Sequence, residues 1–311
     1  MKKRIAFVHN AMWEMYNFRG ELLQELKAKG YEITVICPPD EKNAHYFTDL
    51  GIKLLTVPMS RKGTNIKEDV QLVKNLFKVY KKEKFDLVFH YTIKPNIYGT
   101  LAAKLAGIKS IAITTGLGYV FLHNNITSLI AKFMYKFSLA FANEVWFLND
   151  DDMNIFLDKD LITERQAFKL PSEGINTKRF VPKEKNRKDS KTVFLMIARV
   201  LYDKGFNEYL EAAKLIKAQR NDVEFQLLGA IDSGNPSGVP QSVVEDAVSN
   251  GFINYLGTTS DVLPIIREAD CMVHPSYREG ISRVLMEAAS MEKPIIATNV
   301  TGCREVINDG E

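Results

Sequence analysis

An alternation that runs twice along the chain limits its fold more than any other feature. Short apolar runs of strand length are separated by segments of helical periodicity. In the N-terminal half the runs are 5–8, 33–36, 53–57, 87–90, 110–114 and 144–148. Between them, 20–29 sets Leu22, Leu23 and Leu26 on one face, and 66–82 sets Val70, Val73, Phe77 and Tyr80 at spacings of three and four. Segments 96–106 and 126–142 also read as helices. Apolar strands alternating with helices predict βαβ units, hence parallel strands covered on both faces. After the polar stretch 176–191 the alternation restarts, with strands at 193–198, 224–228, 253–256, 271–274 and 294–298 and helices at 205–218, 241–250, 261–268 and 283–291. The expectation is two tandem α/β domains, 1–175 and 192–311, joined by a linker at 176–191. The 311 residues agree with that count at about 150 residues per core. In open α/β sheets ligands bind beyond the carboxyl ends of the strands, so a site facing both domains is expected.

Composition removes several classes. With 46% apolar and 25% charged residues the chain is neither disordered nor fibrous. No apolar run approaches the roughly 18 residues of a membrane span; the longest candidate, 126–142, is broken by Lys132 and Lys136. Formal charge is +6 over 1–170 and −3 over 171–311, and no Lys/Arg tract is dense enough for nucleic-acid binding. The mildly basic first half suits an anionic membrane surface or a phosphorylated partner, or merely solvates helix faces. Cys37, Cys271 and Cys303 show neither disulfide nor zinc spacing, which predicts reduced thiols in a cytosolic protein. The basic start Met1-Lys2-Lys3-Arg4 is followed by an apolar run too short for a signal peptide.

Two segments in the second half can carry chemistry. In Ala198-Arg199-Val200-Leu201-Tyr202-Asp203-Lys204-Gly205 a strand ends and a helix begins. Arg199 and Lys204 beside a helix N-terminus can hold a diphosphate, or be two surface cations. In His274-Pro275-Ser276-Tyr277-Arg278-Glu279-Gly280-Ile281-Ser282-Arg283-Val284-Leu285-Met286-Glu287 a strand, a loop and a helix follow one another. Glu287 can accept from vicinal hydroxyls, as on a ribose, and the N–H groups of Gly280, Ile281, Ser282 and Arg283 can meet phosphate; the alternative is a helix cap followed by a solvated glutamate. His274 ends a strand and reads as packed.

These blocks resemble the donor-binding domain of retaining glycosyltransferases of family 4, whose fold is GT-B: two Rossmann-like domains facing a central cleft. The Glu-x7-Glu pattern matches Glu279 and Glu287, the Arg…Lys-Gly pattern matches Arg199, Lys204 and Gly205, and Thr298 to Val306 matches the stretch that usually follows. Asn17-Phe18-Arg19-Gly20, Tyr91 to Asn96, Thr115 to Tyr119 and Glu173 to Asn176 resemble a branch that builds bacterial surface glycans on undecaprenyl-diphosphate-linked acceptors, often from N-acetylhexosamine donors. The resemblance implies a UDP-sugar donor. Arg199 and Lys204 would neutralise the leaving diphosphate, Glu287 would hold the ribose, and Glu279 the donor sugar near C3 and C4. Configuration would be retained, with no metal or other cofactor. Capsule, O-antigen or glycoprotein glycan synthesis is the expected setting, at the cytoplasmic face of the membrane as a peripheral protein. Many members of the family carry a His in the N-terminal domain near the donor sugar, after the fifth strand. Here that stretch reads Ile113-Thr114-Thr115-Gly116-Leu117-Gly118, so no catalytic His is assigned; the Gly116 and Gly118 backbone either approaches the donor or only turns.

Other residues keep two readings. Arg19, after a loop with Trp13, Tyr16 and Phe18, and Lys94, before a helix start, can meet an acceptor or pack and solvate their loops. Asp150-Asp151-Asp152 can be metal-binding or can cap a helix. The segment 119–142, with Phe133, Phe137 and flanking lysines, can dip into lipid headgroups or pack on the sheet. Competing functions are a catalytically silent sugar-nucleotide-binding module and an epimerase of the same fold. A dinucleotide oxidoreductase is disfavoured because no G-x-G-x-x-G follows the first strand. Family members usually continue for several dozen residues, so a longer natural chain with a bracing C-terminal helix is expected.

Overall fold

The computed structural model describes residues 2–60, 65–117, 121, 126–186 and 190–310. The chain divides into two compact units, Met1–Pro171 and Ser172–Glu311. In the first unit the order is β1 (Arg4–Val8), α1 (Met12–Ala28), β2 (Glu32–Cys37), α2 (His45–Asp49), β3 (Lys53–Thr56), α3 (Ile66–Glu83), β4 (Leu87–Tyr91), a π-helical turn at Pro95–Gly99, α4 (Thr100–Ala106), β5 (Lys109–Thr114), α5 (Ile126–Leu139), β6 (Glu144–Phe147), α6 (Asp150–Asp158) and β7 (Ala167–Lys169). The second unit holds β8 (Thr192–Ile197), a 3-10 turn at Tyr202–Lys204, α7 (Phe206–Lys217), β9 (Val223–Leu228), α8 (Gln241–Ser249), β10 (Asn254–Tyr255), α9 (Leu263–Glu268), β11 (Cys271–His274), α10 (Arg283–Ser290) and β12 (Ile295–Ala297).

Both sheets are parallel, in the orders β3-β2-β1-β4-β5-β6-β7 and β10-β9-β8-β11-β12. The period of two along a strand explains the unbroken apolar runs. On β1, Ile5 and Phe7 join the core under α1, with Met12, Met15 and Leu23, while Ala6 and Val8 join the core under α3 and α4, with Leu72, Leu76, Tyr80 and Ala103. On β8, Met196 faces Phe206 and Tyr209 of α7, whereas Leu195 and Ile197 face Ile266 of α9 and Leu285 of α10. Each strand order reverses at the first strand of its unit, between β1 and β4 and between β8 and β11. Those are the points where an open sheet leaves room for a ligand.

Three expectations are corrected. The aromatic stretch before Arg19 is helix, not loop: Met12, Met15, Arg19, Gly20 and Leu23 are buried at helical spacing along α1. The unit boundary falls at Pro171, ahead of the stretch expected to be a linker. That stretch is bound to the second unit: Phe180 lies in its core, Ser290 Oγ donates to the Phe180 carbonyl (2.6 Å), and Arg179 pairs with Asp261 (2.7 Å). The acidic run 150–152 fills the first turn of α6, but its cap is Asn149, whose Oδ1 accepts from Asp152 N–H (2.7 Å). All three cysteines are free and buried. Among the described residues no helix is long and apolar enough to cross a membrane.

Candidate active site

The reversal point of the second sheet gathers most of the donor-side residues expected from the sequence. Beyond β8 the chain passes Arg199 and closes the 3-10 turn on Lys204; Gly205 then takes φ +83° to start α7. A Cβ on Gly205 would lie 2.2 Å from the Pro275 carbonyl, so glycine there lets the β8 and β11 loops touch. Beyond β11 the loop carries Glu279, whose backbone N–H donates to the Thr301 carbonyl (2.9 Å). Gly302, at φ +84°, presses on it from the β12 side: a Cβ there would fall 2.4 Å from that of Glu279.

The side chains meet on one oxygen. Lys204 Nζ donates to Glu279 Oε1 at 2.7 Å, and His274 Nε2 lies 3.1 Å from the same atom. Glu279 Oε2 has no hydrogen-bond partner among the described residues. Burial raises the Glu279 pKa, but the His274 hydrogen bond and the Lys204 charge outweigh it and bring it to about 2. Glu279 is therefore an ionised acceptor with one oxygen anchored and one open, suited to a ligand hydroxyl. Lys204 also reaches the Arg278 carbonyl (3.5 Å), which leaves its third N–H for a ligand. Arg199 is exposed and only loosely paired, 3.6 Å from Asp232.

Glu287 sits one turn into α10, buried, with Oε1 accepting from Arg283 Nε (2.9 Å). Burial raises its pKa, with Arg283 opposing. The expected row of free N–H groups is shorter than the sequence implied. Ser282 N–H is committed to the Gly302 carbonyl (2.8 Å), and its hydroxyl caps α10 by accepting from Leu285 N–H (3.4 Å). The loop must bend back under the 301–302 segment, which consumes that donor. Gly280, Ile281 and Arg283 lie around the same bend.

The first unit divides the remaining candidates. Arg19 is buried on α1, its guanidinium 4.2 Å from the Tyr91 ring at the β4 end. Lys94 is buried and paired: Nζ donates to Asp69 Oδ1 and to Ser60 Oγ, both at 2.8 Å, and Tyr98 OH donates to Asp69 Oδ2. It lines a cavity of about 200 Å³ with Met59 and Leu72, so its charge is spent inside the unit rather than offered to an acceptor. Gly116 has φ +141°, which glycine alone adopts readily. Gly118 and Tyr119 lie outside the described residues. His90 is a core histidine between Tyr80 OH (2.9 Å) and Thr100, and burial pushes its pKa down to about 3.

Sequence reasoning missed three polar groups at this edge. Asn10 Oδ1, Thr92 Oγ1 and Thr114 Oγ1, just beyond β1 and β4 and ending β5, are buried without a partner among the described residues, and Thr92 holds φ +70°. Buried polar atoms are rarely left unpaired, and strained residues gather at ligand sites. The position of each, at a strand's carboxyl end, was the available signal. Among the described residues no group of three or more His, Cys, Asp or Glu could hold a metal ion.

Comparison with known proteins agrees with this layout. The family model "Glycosyl transferase 4-like" matches residues 4–149, and "Glycosyl transferases group 1" matches 177–311. Over 98% of its length the chain is 31% identical to the N,N'-diacetylbacillosaminyl-diphospho-undecaprenol alpha-1,3-N-acetylgalactosaminyltransferase of Campylobacter jejuni, covering 83% of that protein. The chain belongs to glycosyltransferase family 4. This glycosyltransferase is also 26% identical to the UDP-Gal:alpha-D-GlcNAc-diphosphoundecaprenol alpha-1,3-galactosyltransferase of Escherichia coli, over 88% of the chain and 72% of that protein. In fold it is similar to Anabaena HepE in complex with UDP-glucose, with TM-score 0.76 at 16% identity over 99% of this chain and 83% of that one. Two parallel-sheet α/β domains of the GT-B type are thus the architecture of this glycosyltransferase.

Proposed function

We propose that the protein transfers a sugar, an N-acetylhexosamine or related hexose, from a UDP-sugar to an undecaprenyl-diphosphate-linked glycan, with retention of configuration and without a metal. Glycan assembly of this kind serves capsule, O-antigen or glycoprotein synthesis and places the enzyme peripherally on the cytoplasmic face of the membrane. The observation that carries the reading is the Lys204–Glu279 pair at the β8/β11 reversal, with Glu279 Oε2 open beside it. The names of the two relatives support the choice of acceptor.

In the reaction the bond between the anomeric carbon and the diphosphate oxygen breaks. The acceptor hydroxyl bonds to that carbon from the same face, and its proton passes to the departing phosphate oxygen. Charge grows on the diphosphate, where the Lys204 ammonium and the exposed Arg199 guanidinium supply fixed positive charge; such stabilisation is commonly the largest catalytic contribution. Glu279 Oε2 accepts from a donor-sugar hydroxyl and Glu287 from the ribose. The unpartnered atoms at the β1, β4 and β5 ends of the first unit supply acceptors for hydroxyls of a bound sugar. Incubation with a panel of UDP-sugars and an undecaprenyl-diphosphate glycan analogue, with and without EDTA, tests the reading. Transfer that survives EDTA and gives a product of unchanged anomeric configuration is expected. Nucleotide binding without transfer would sink it in favour of a silent module.

A further inference from the structure

Helix α5 is apolar on two opposite sides. Its inward side is buried through Tyr135, Ser138 and Leu139, with Ala142 just beyond the helix end. Leu129, Ile130, Phe133 and Phe137 point outward and are 52–69% exposed. Their spacing puts them on one stripe, and Phe141 extends it, its ring 5.6 Å from that of Phe137. The patch does not stop at the helix. Lys104 of α4 lies 5.5 Å from the centre of the Phe141 ring, and the next residue, Leu105, is exposed. Among the described residues, six of the 17 exposed large hydrophobic ones thus fall in one patch, which scattered surface exposure does not explain. Of its large hydrophobic residues helix α3 exposes only Ile66 and Val70, in its first turns, and its outer face otherwise carries Lys67, Glu68, Gln71, Lys74, Lys78 and Lys81.

The charge around the patch selects what covers it. From 87 to 143 the sequence holds five lysines (94, 104, 109, 132 and 136) and no Asp or Glu. Lys104, Lys109 and Lys136 are exposed. An apolar, aromatic-rich stripe on a segment whose only charged residues are lysines fits the boundary between anionic lipid headgroups and acyl chains, with the aromatics inside and the ammonium groups among the phosphates. A second copy of this chain would bring the same lysines against these ones, a like-charge contact that opposes pairing.

We infer that the outward face of α5, with Leu105 and Phe141, docks the protein on an anionic bilayer, lying in the interface and not crossing it. The inference deepens the reading of a lipid-linked acceptor and rests on it for its purpose, but its test needs no acceptor. Purified chain is sedimented with phosphatidylcholine vesicles, with or without phosphatidylglycerol, at low and high salt. The wild type should co-sediment with the anionic vesicles and be released by salt. Phe133→Ser/Phe137→Ser should weaken partitioning by at least about tenfold, since each loses an aromatic ring from the apolar face. Lys109→Glu/Lys136→Glu should abolish the preference for phosphatidylglycerol. These side chains are exposed, so circular dichroism and UDP binding should match the wild type. A wild type that stays in the supernatant, or a serine variant that binds as well, overturns the docking face. A dimer seen by light scattering and split by the serine pair, without vesicle binding, overturns it in favour of a second copy. Transfer to a detergent-free soluble acceptor analogue reads the transferase activity apart from docking, so either result can fail alone.

Discussion

Each unit contains a lysine–carboxylate pair of nearly the same length, and the two serve opposite ends. Lys94 and Asp69 meet at 2.8 Å, Lys204 and Glu279 at 2.7 Å. In the first, the side chains are 10% and 9% exposed, Ser60 takes a second N–H of Lys94, and Tyr98 takes the other Asp69 oxygen, so both carboxylate oxygens are engaged. In the second, exposure is 18% and 17%, two donors crowd onto one carboxylate oxygen, and the other oxygen is left open. A closed network stabilises a fold, whereas an unfinished one at the reversal of a parallel sheet waits for a ligand. The lesson is that salt-bridge geometry alone does not separate structure from function; the count of unsatisfied directions does.

The largest effect should come from opening the closed pair. Lys94→Ala leaves Asp69 buried with only the Tyr98 hydroxyl, and removal of one partner from a buried pair costs about 3–5 kcal/mol. Urea unfolding should show that loss in the midpoint. Retained stability with lost acceptor binding would break the comparison and return Lys94 to the acceptor site. Next in size, Lys204→Ala should slow transfer by about a hundredfold while the protein stays folded, because the missing charge matters most as the diphosphate leaves. An unchanged rate would remove Lys204 from that role. Smaller again, Glu287→Gln should raise the donor KM by roughly tenfold, the size of a lost charge-assisted hydrogen bond. A change confined to kcat would mean that Glu287 does not hold the ribose.

The sequence made the sheets legible because strands buried on both faces leave unbroken apolar runs that no solvent-exposed element imitates. It did not reveal β7, whose three residues Ala167-Phe168-Lys169 form a largely exposed edge. It also cut α1 short. Ala11 offers no side-chain cap, so the helix starts without a signal, and its burial pattern passes through Arg19. The donor-side residues were readable as motifs, since each sits within one strand–loop–helix unit. Their partnership was not. Lys204 and Glu279 are 75 positions apart, and only the β8–β11 pairing brings them together. For the same reason Asp69 gave no hint that it would take Lys94, 25 positions away. His274 was read as packed, and it is, but its contact with Glu279 also makes it part of the site.

The smallest expected effect is an acid limb in stability contributed by Glu279 of the open pair. Glu279 titrates near 2 when folded, against 4.5 as its ordinary value. A carboxyl whose folded pKa is depressed contributes its full stabilisation above the unfolded pKa and loses it as pH falls through the folded one. The loss attributable to Glu279 should therefore begin below about pH 4.5 and be complete only near pH 2. Because the pair is partly hydrated, the contribution should be on the order of 1 kcal/mol. Comparing the pH dependence of urea midpoints between wild type and Glu279→Gln isolates it: the two curves should run parallel above pH 5 and converge toward pH 2. His274→Ala, which removes one of the two donors on Oε1, should raise the folded pKa of Glu279, so that the limb starts at the same pH but ends at a higher one, and should lower kcat by a few-fold, leaving nucleotide affinity unchanged. Curves for Glu279→Gln and wild type that stay parallel to pH 2 would show that Lys204 and His274 do not hold the carboxylate in solution, and the contrast between the two pairs would then lose its physical basis.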